Sequence, residues 1–229
     1  MTRRAHAFVT DLAAPELSQR DRHHIERVLR LRAGDEMTVS DGIGSWRLCR
    51  FGPELEPVAE ALADPEPSPR LTVGFALVKG ERPELVVQKL TELGIDRIIP
   101  FTAARSVVRW EGAKAERAHE RLTVVSREAA MQSRATRLPT IEQVLTFAAV
   151  AVGGTALCER GGATPTLALP SVLVGPEGGW AHEELAVGLP TVALGPTVLR
   201  AETATLAAAS ILGALRAGIV AGVSGPAEA

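Results

Sequence analysis

The sequence has little of several things that would place a chain in a special class. It holds two cysteines in 229 residues, Cys49 and Cys158. They lie far apart and match no metal-ligand spacing, so they read as ordinary buried thiols of a reducing compartment, and no metal site is expected. Its longest apolar stretches are broken by Gly, Pro or a charge well short of a membrane span, and Met1-Thr-Arg-Arg4 lacks the apolar run of a secretion signal. The expectation is a cytoplasmic protein without membrane contact. Charge of one sign is also missing, since the formal net charge is −2. That excludes a generic polyanion binder.

Ligand and catalytic signatures are equally sparse. There is no G-x-G-x-x-G after the first strand of the second half and no Walker loop, so ordinary dinucleotide binding and NTP hydrolysis lack support. G-x-S-x-G and H-E-x-x-H are absent too, and the His23-His24 pair has no companion at ligand spacing, which leaves His24 as a solvated helix residue.

What is present is segregated. Residues 1–32 carry seven Arg against four acids, residues 105–137 eight Lys/Arg against four, and residues 138–229 three against seven. Two Arg-rich stretches beside an acidic remainder point to a phosphate-bearing partner. Asp64-Pro-Glu-Pro-Ser-Pro69 places three prolines in six residues. It reads as a stiff linker and sets a boundary between residues 1–68 and 69–229.

Before the linker, a helical stretch with Ile25, Val28 and Leu29 on one face precedes strand-like runs at Glu36–Ser40, Ser45–Phe51 and Val58–Leu62. Turn residues at Asp41–Gly44 and Gly52-Pro53 separate them, which predicts a small, mainly β barrel with one helix. After it, buried strands are expected at Leu71–Val78, Arg97–Phe101, Thr155–Cys158, Ser171–Val174 and Thr191–Leu194, alternating with helices near residues 85–92 and 111–133. That alternation specifies a parallel α/β sheet.

The chemistry concentrates in two strand-to-turn transitions, Val174-Gly-Pro-Glu-Gly-Gly179 and Leu194-Gly-Pro-Thr-Val-Leu-Arg200. Each is an apolar strand ending in Gly-Pro. Glycine admits a ligand close to the backbone, proline stiffens the loop, and the carboxyl ends of parallel strands are where open α/β sheets bind ligands. Either turn alone would pass as a connector; two matching ones favour a ligand cleft.

With Lys79-Gly-Glu-Arg82, Gln88-Lys-Leu-Thr-Glu-Leu-Gly94, Ile98-Ile-Pro-Phe101, Leu173–Gly179 and Leu194–Thr203 in this order, the chain resembles the RsmE family of the SPOUT superfamily. These are uridine-N3 methyltransferases of 16S ribosomal RNA. The resemblance covers the whole chain. It implies an N-terminal PUA-like RNA-binding barrel followed by a trefoil-knotted α/β domain that forms a homodimer and takes S-adenosylmethionine as methyl donor. Unaided topology rules would discard such a knot. The apolar helix starting near Glu202, with Leu206, Ala209, Ile211, Leu212 and Leu215, suits burial against a second subunit or in a monomer core alike.

Carried over position by position, the resemblance implies a cofactor pocket at Cys158, Glu159, Val174, Gly175, Gly178, Gly179, Leu194, Gly195, Val198, Leu199 and Arg200. Attack by uridine N3 requires losing its imide proton and meeting negative charge on O2 and O4; Arg200, at the second loop's end, is the candidate for the developing anion, and Glu202 accepts the proton or orients Arg200. The expected partner is the small ribosomal subunit, with phosphates met by Arg22, Arg27, Arg30, Arg105, Arg109, Arg127, Gln132, Arg134 and Arg137. One stretch departs from the family's E-Q-x-G-R-x-x-x-P: Met131 stands for the glutamate and Arg134-Ala135 for Gly-Arg. Other readings are a SPOUT enzyme acting on another RNA or on a ribose 2′-hydroxyl, and a non-catalytic RNA-binding assembly protein.

Overall fold

A computed structural model describes residues 5–77 and 82–221. Lys79, Gly80 and Glu81 of the Lys79–Arg82 motif lie outside the described residues. Two compact units emerge, one comprising residues 1–67 with 127–138 and the other residues 68–126 with 139–229.

The first unit holds β1 (Ala5–Phe8), α1 (Gln19–Arg27), β2 (Glu36–Ser40), β3 (Ser45–Arg50), β4 (Glu56–Pro57) and β5 (Leu62–Ala63). Its sheet runs β1-β2-β3-β4 with β5 also on β3. β1 pairs parallel with β2, whereas β2 and β3 form an antiparallel pair across the Asp41–Gly44 turn. In that turn the Asp41 carboxylate accepts from the amides of Ile43 and Ser45. The expected strand over residues 58–62 resolves into the two-residue β4 and β5 flanking it, because Val58–Glu60 offers little apolar side chain to bury. Of the three apolar residues expected on the inner face of α1, only Ile25 is buried; Val28 and Leu29 are exposed because the helix ends at Arg27 and the chain leaves its axis. Ile25 joins Ala7, Met37, Val39 and Cys49 in one apolar cluster, against which Met131 packs from the 127–138 segment.

A charged staple is built into this unit. The Ser18 hydroxyl caps α1 by accepting from the amide of Asp21 and donates to the Asp21 carboxylate at 2.7 Å. Arg127 donates to both Asp21 oxygens at 2.9 and 2.8 Å and lies over the Phe8 ring. Burial pushes the Asp21 carboxyl up, but the hydrogen bonds and charge of Arg127 and Ser18 more than offset it, and the group sits below its ordinary value. α3 terminates in the same segment: Ala135 donates to the carbonyl of Ala130, and Arg134 takes the left-handed conformation at φ 60°. The motif of the family that the chain resembles has glycine at this position, a residue that adopts this conformation freely; arginine occupies it at a steric cost.

His6, 4% exposed on β1, sits with Nδ1 2.8 Å from Thr38 Oγ1 and Nε2 3.3 Å from Ser40 Oγ. Burial is the main cause of a pKa lowered from 6.5 to about 4; the backbone at Ala135 raises it and Arg134 lowers it further. The folded state therefore stays neutral at this ring while the unfolded chain takes up a proton as pH falls from 6.5 to about 4. Stability is complete above that window and declines through it, by about 3 kcal/mol for this one group. Denaturant titrations of His6→Gln, which cannot protonate, are expected to lose most of that acid slope.

The second unit is organised on a seven-stranded sheet of β6 (Thr72–Ala76), β7 (Arg97–Thr102), β8 (Thr140–Ile141), β9 (Leu145–Thr146), β10 (Thr155–Ala163), β11 (Ser171–Val174) and β12 (Thr191–Val192). All its pairings are parallel, as the alternating apolar runs require. The order is β12-β10-β11-β6-β7-β8, with β9 also on β7. The helices are α2 (Arg82–Glu92), α3 (Ala113–Ser133, whose last turns belong to the first unit), α4 (Phe147–Val150), α5 (His182–Leu185) and α6 (Ala201–Arg216). Val73, Phe75, Val86, Leu90, Ile98, Val172 and Leu212 share one core, and Phe101, Leu157, Leu173 and Trp180 another. Gly74 sits opposite Leu173 in register, where an added Cβ would stand 2.4 Å from the Leu173 side chain. α6 buries Ala201, Thr205, Ala208, Ala209 and Leu212, leaving Leu206, Ile211 and Leu215 half-buried. No described helix is long and apolar enough to cross a membrane.

Candidate active site

The strand order decides where a cleft can form. β12, β10 and β11 are adjacent and parallel, so the loops that leave them open at one edge of the sheet. Gly175–Glu177 and Gly179 after β11, Leu194, Gly195 and Thr197–Leu199 after β12, and Cys158–Arg160 within β10, together with Val174, Trp180 and the first turn of α6, line a cavity of about 590 Å³. That is the size of a small-molecule site.

Local chemistry explains the shape of each wall. β10 continues past Cys158 through an irregularity, so that both Cys158 and Ala163 pair with Val192 and the intervening residues bulge. Gly161 has φ 82°, and a Cβ on Gly162 would stand 2.6 Å from the Thr191 backbone. The bulge puts Glu159 and Arg160 on the cavity wall. Gly175 lies under the Trp180 indole, where a Cβ would come within 3.0 Å of the ring. Trp180 cannot retreat: it stacks at 6.1 Å on Phe101, tilts against Phe147, and donates from Nε1 to the Cys158 carbonyl at 3.0 Å. At Gly179 and Gly195 an added Cβ would meet no atom within 4 Å, so these backbones border open space. Beside the cleft, the buried Glu184 carboxylate accepts from the amides of Ala104 and Ala181, 2.8 Å each, and ties α5 to the loop after β7.

Of the residues that the family resemblance implies for the cofactor, Cys158, Glu159, Val174, Gly175, Gly179, Leu194, Gly195, Val198 and Leu199 line this cavity. Gly178 and Arg200 do not. Gly178 turns its carbonyl to Arg105, which donates to it at 2.9 Å. Arg200 is the exposed, extended residue just ahead of α6, flanked by the lining residues Leu199 and Ala201. Glu202 lies in the first turn of α6 with its side chain 19% exposed. Among the described residues its ion-pair partner is Arg82 at 3.5 Å rather than Arg200.

The arginines chosen for RNA divide into two sets. Arg22 donates to the carbonyls of Gly52 and Pro53, Arg127 holds Asp21, and Arg137 donates to the carbonyls of Ile43 and Asp64. Arg27, Arg30, Gln132 and Arg134 are exposed in the first unit, and Arg105 and Arg109 in the second. Residues the motifs did not single out include Trp180, Glu184 and the site role of Arg82. A lone tryptophan and a lone glutamate carry no spacing signal, and Arg82 was visible only as the end of a motif.

Burial raises the Cys158 thiol to about 12, which removes it as a nucleophile at neutral pH. At pH 8 iodoacetamide is expected to alkylate it at least about tenfold more slowly than free cysteine, as mass spectrometry of the intact protein would read. No group of three His, Cys, Asp or Glu among the described residues is placed to hold a metal ion.

Comparison with known proteins adds the lineage. A model of the RNA methyltransferase domain matches residues 65–213, and one of the RNA methyltransferase PUA domain matches residues 17–52. Ribosomal RNA small subunit methyltransferase E of Mycobacterium bovis is 35% identical over 84% of this chain and 83% of its own length. Its namesake from Bacillus subtilis is 30% identical over 83% and 86% respectively. The crystal structure of ribosomal RNA small subunit methyltransferase E from Neisseria gonorrhoeae, bound to S-adenosyl methionine, superposes with a TM-score of 0.77 at 26% identity, covering 93% of this chain and 98% of that one. With a cleft walled by β10 and the loops after β11 and β12, and both domain models matched in order, the chain belongs to the ribosomal RNA small subunit methyltransferase E family of RNA methyltransferases.

Proposed function

We propose that this protein methylates N3 of a uridine in 16S ribosomal RNA of the small subunit, with S-adenosylmethionine as donor. The observation that carries the reading is the cleft between the Gly175–Gly179 and Leu194–Leu199 loops, which reaches the first turn of α6 where Arg200 and Glu202 stand. Its volume, its apolar walls at Val174, Leu194 and Leu199, and its exposed loop backbones fit an adenosine-bearing ligand held by main-chain groups. When bound, that donor supplies an electrophilic methyl group on sulfonium.

The chain's own residues then have two tasks. The imide proton of uridine N3 must leave before or as the nitrogen attacks, and the negative charge spread over O2 and O4 must be met. Glu202, in the first turn of α6, serves as proton acceptor. Arg200 meets the developing anion with the several donors of a guanidinium, and its side chain makes no cap hydrogen bond to α6. The loops contribute position, since two reactants held in line need little further help. Reaching N3 requires an unstacked base, so the substrate segment is a single-stranded or loop region.

Residues 1–68 serve as the RNA-binding domain and 69–229 as the methyltransferase domain, knotted and paired with a second copy through α6. Phosphates are met by the exposed set: Arg27, Arg30, Gln132 and Arg134 in the first unit, Arg105 and Arg109 in the second. Transfer of label from S-[methyl-³H]adenosylmethionine to small subunits lacking N3-methyluridine, with the product nucleoside identified, tests the reading. Label recovered as N3-methyluridine is expected; label in another nucleoside or in ribose would overturn the base assignment.

A further inference from the structure

Arg82 opens α2 and reaches two carboxylates at the rim of the cleft. Its Nη1 lies 3.5 Å from Glu202 Oε1 and 3.6 Å from Glu177 Oε1. Both separations exceed the 2.7–2.9 Å of a fully engaged charge-assisted bond, so the guanidinium is shared rather than locked onto either partner. The three groups come from distant parts of the chain: the start of α2, the Gly-Pro loop after β11, and the first turn of α6. Glu177 lines the cavity, and Glu202 lies between the lining residues Ala201 and Ala204.

The second oxygen of Glu202 carries the clue. Oε2 is buried and has no hydrogen-bond partner, one of two such side-chain atoms among the described residues. A buried acceptor without a donor is an arrangement proteins avoid, and a donor brought by a ligand would relieve it. Oε1 faces Arg82 while Oε2 is vacant, so the carboxylate is held by one oxygen with the other kept for use.

We infer that Arg82 is a positioning residue: by holding Glu202 through Oε1 and the cofactor loop through Glu177, it aims Oε2 at the N3–H of the bound uridine. This rests on the methyltransferase reading above. The proton of N3 passes to Oε2, the N3 lone pair forms the new bond to the methyl carbon, and the carbon–sulfur bond breaks with its electron pair going to sulfur. Glu202 leaves as the neutral acid and later returns its proton to water. Losing this cation frees the carboxylate from that geometry, while the donor loop keeps the Arg105–Gly178 hydrogen bond and the Trp180 ring over Gly175.

The test compares wild type, Arg82→Gln and Arg82→Lys in steady-state methyl transfer to unmethylated small subunits, with S-adenosylmethionine affinity measured by calorimetry and folding by thermal melting. Arg82→Gln is expected to lower kcat about 10²-fold, the scale of a misplaced reacting group, while the affinity for S-adenosylmethionine stays within about twofold. Arg82→Lys, which keeps the charge, is expected to recover most of the rate. A folded Arg82→Gln with unchanged kcat would overturn the inference, as would a loss of rate that follows loss of cofactor affinity. If Arg82→Gln melts early, the Lys variant decides: a folded Arg82→Lys no more active than background overturns it. Wild type that makes no N3-methyluridine would sink the function itself and this inference with it, an outcome distinct from an active wild type with indifferent variants.

Discussion

Arg200→Ala is expected to slow methyl transfer about 10²–10³-fold, the scale seen when a single donor to a developing oxyanion is removed. S-adenosylmethionine affinity should change little, because Arg200 lies outside the cavity lining while its neighbours Leu199 and Ala201 are within it. The asymmetry follows from where charge appears. Ground-state uridine is neutral, so an arginine poised for the N3-deprotonated ring contributes mainly at the transition state, and kcat and kcat/KM should fall together. Lysine at this position should restore only part of the rate, since an ammonium cannot offer the paired donors of a guanidinium to O2 or O4. Equal activity of Arg200→Ala and wild type on unmethylated subunits would remove Arg200 from the mechanism.

Arg127→Ala is expected to destabilise the first unit by about 1–3 kcal/mol, the cost of leaving a buried acceptor short of its donors. Asp21 is 4% exposed and receives Arg127 through both oxygens, so without the guanidinium only Ser18 remains to it. The variant should also change its response to acid. With Arg127 present the folded Asp21 carboxyl sits below 3.8, so its contribution is complete above the unfolded value and is lost as pH falls through the lower folded one. With Arg127 gone, burial dominates and the folded carboxyl rises, so the variant should lose less of its remaining stability on acidification than wild type does. The same alanine should leave a residual RNA affinity set by Arg27, Arg30 and Arg134, which point to solvent. A variant that melts like wild type but no longer binds RNA would instead assign Arg127 to the nucleic acid.

The parts of this protein that were legible in its sequence are those whose causes are local. Gly175-Pro176 and Gly195-Pro196 announce their turns because glycine and proline act on their own backbone, and nine of the eleven cofactor residues that the family resemblance implies line one cavity with those turns. The parallel sheet was legible because Val73, Ile98, Val172 and Val192 sit in apolar runs. What escaped depends on distance in the chain. The four residues of β1 are too few to show a period, and their place is fixed by Met37 and Val39 opposite. Gly161-Gly162 reads as the end of a strand, yet β10 continues because Gly162 passes the Thr191 backbone with no room for a side chain. Arg82 belongs with Glu177 and Glu202 only once α2, the loop after β11 and α6 are folded together. Arg134 looked like a loss of the family's glycine, and its φ of 60° shows that the chain kept the turn and changed only the residue.

The placement of β11 between β6 and β10 has a consequence for how the chain comes off the ribosome. Thr72 of β6 pairs in register with Ser171, about a hundred residues later. At 5–20 residues per second, β6 waits on the order of 5–20 s before its partner exists, and its pairing edge must stay free all that time. β10, which β11 also joins, is made shortly before it. The sheet therefore closes from a late insertion rather than by growth from one end, and the loop-closure entropy falls due near the end of synthesis. An RNA methyltransferase of this kind thus completes its sheet only once Val192 of β12 has been added, with more than four-fifths of the chain translated.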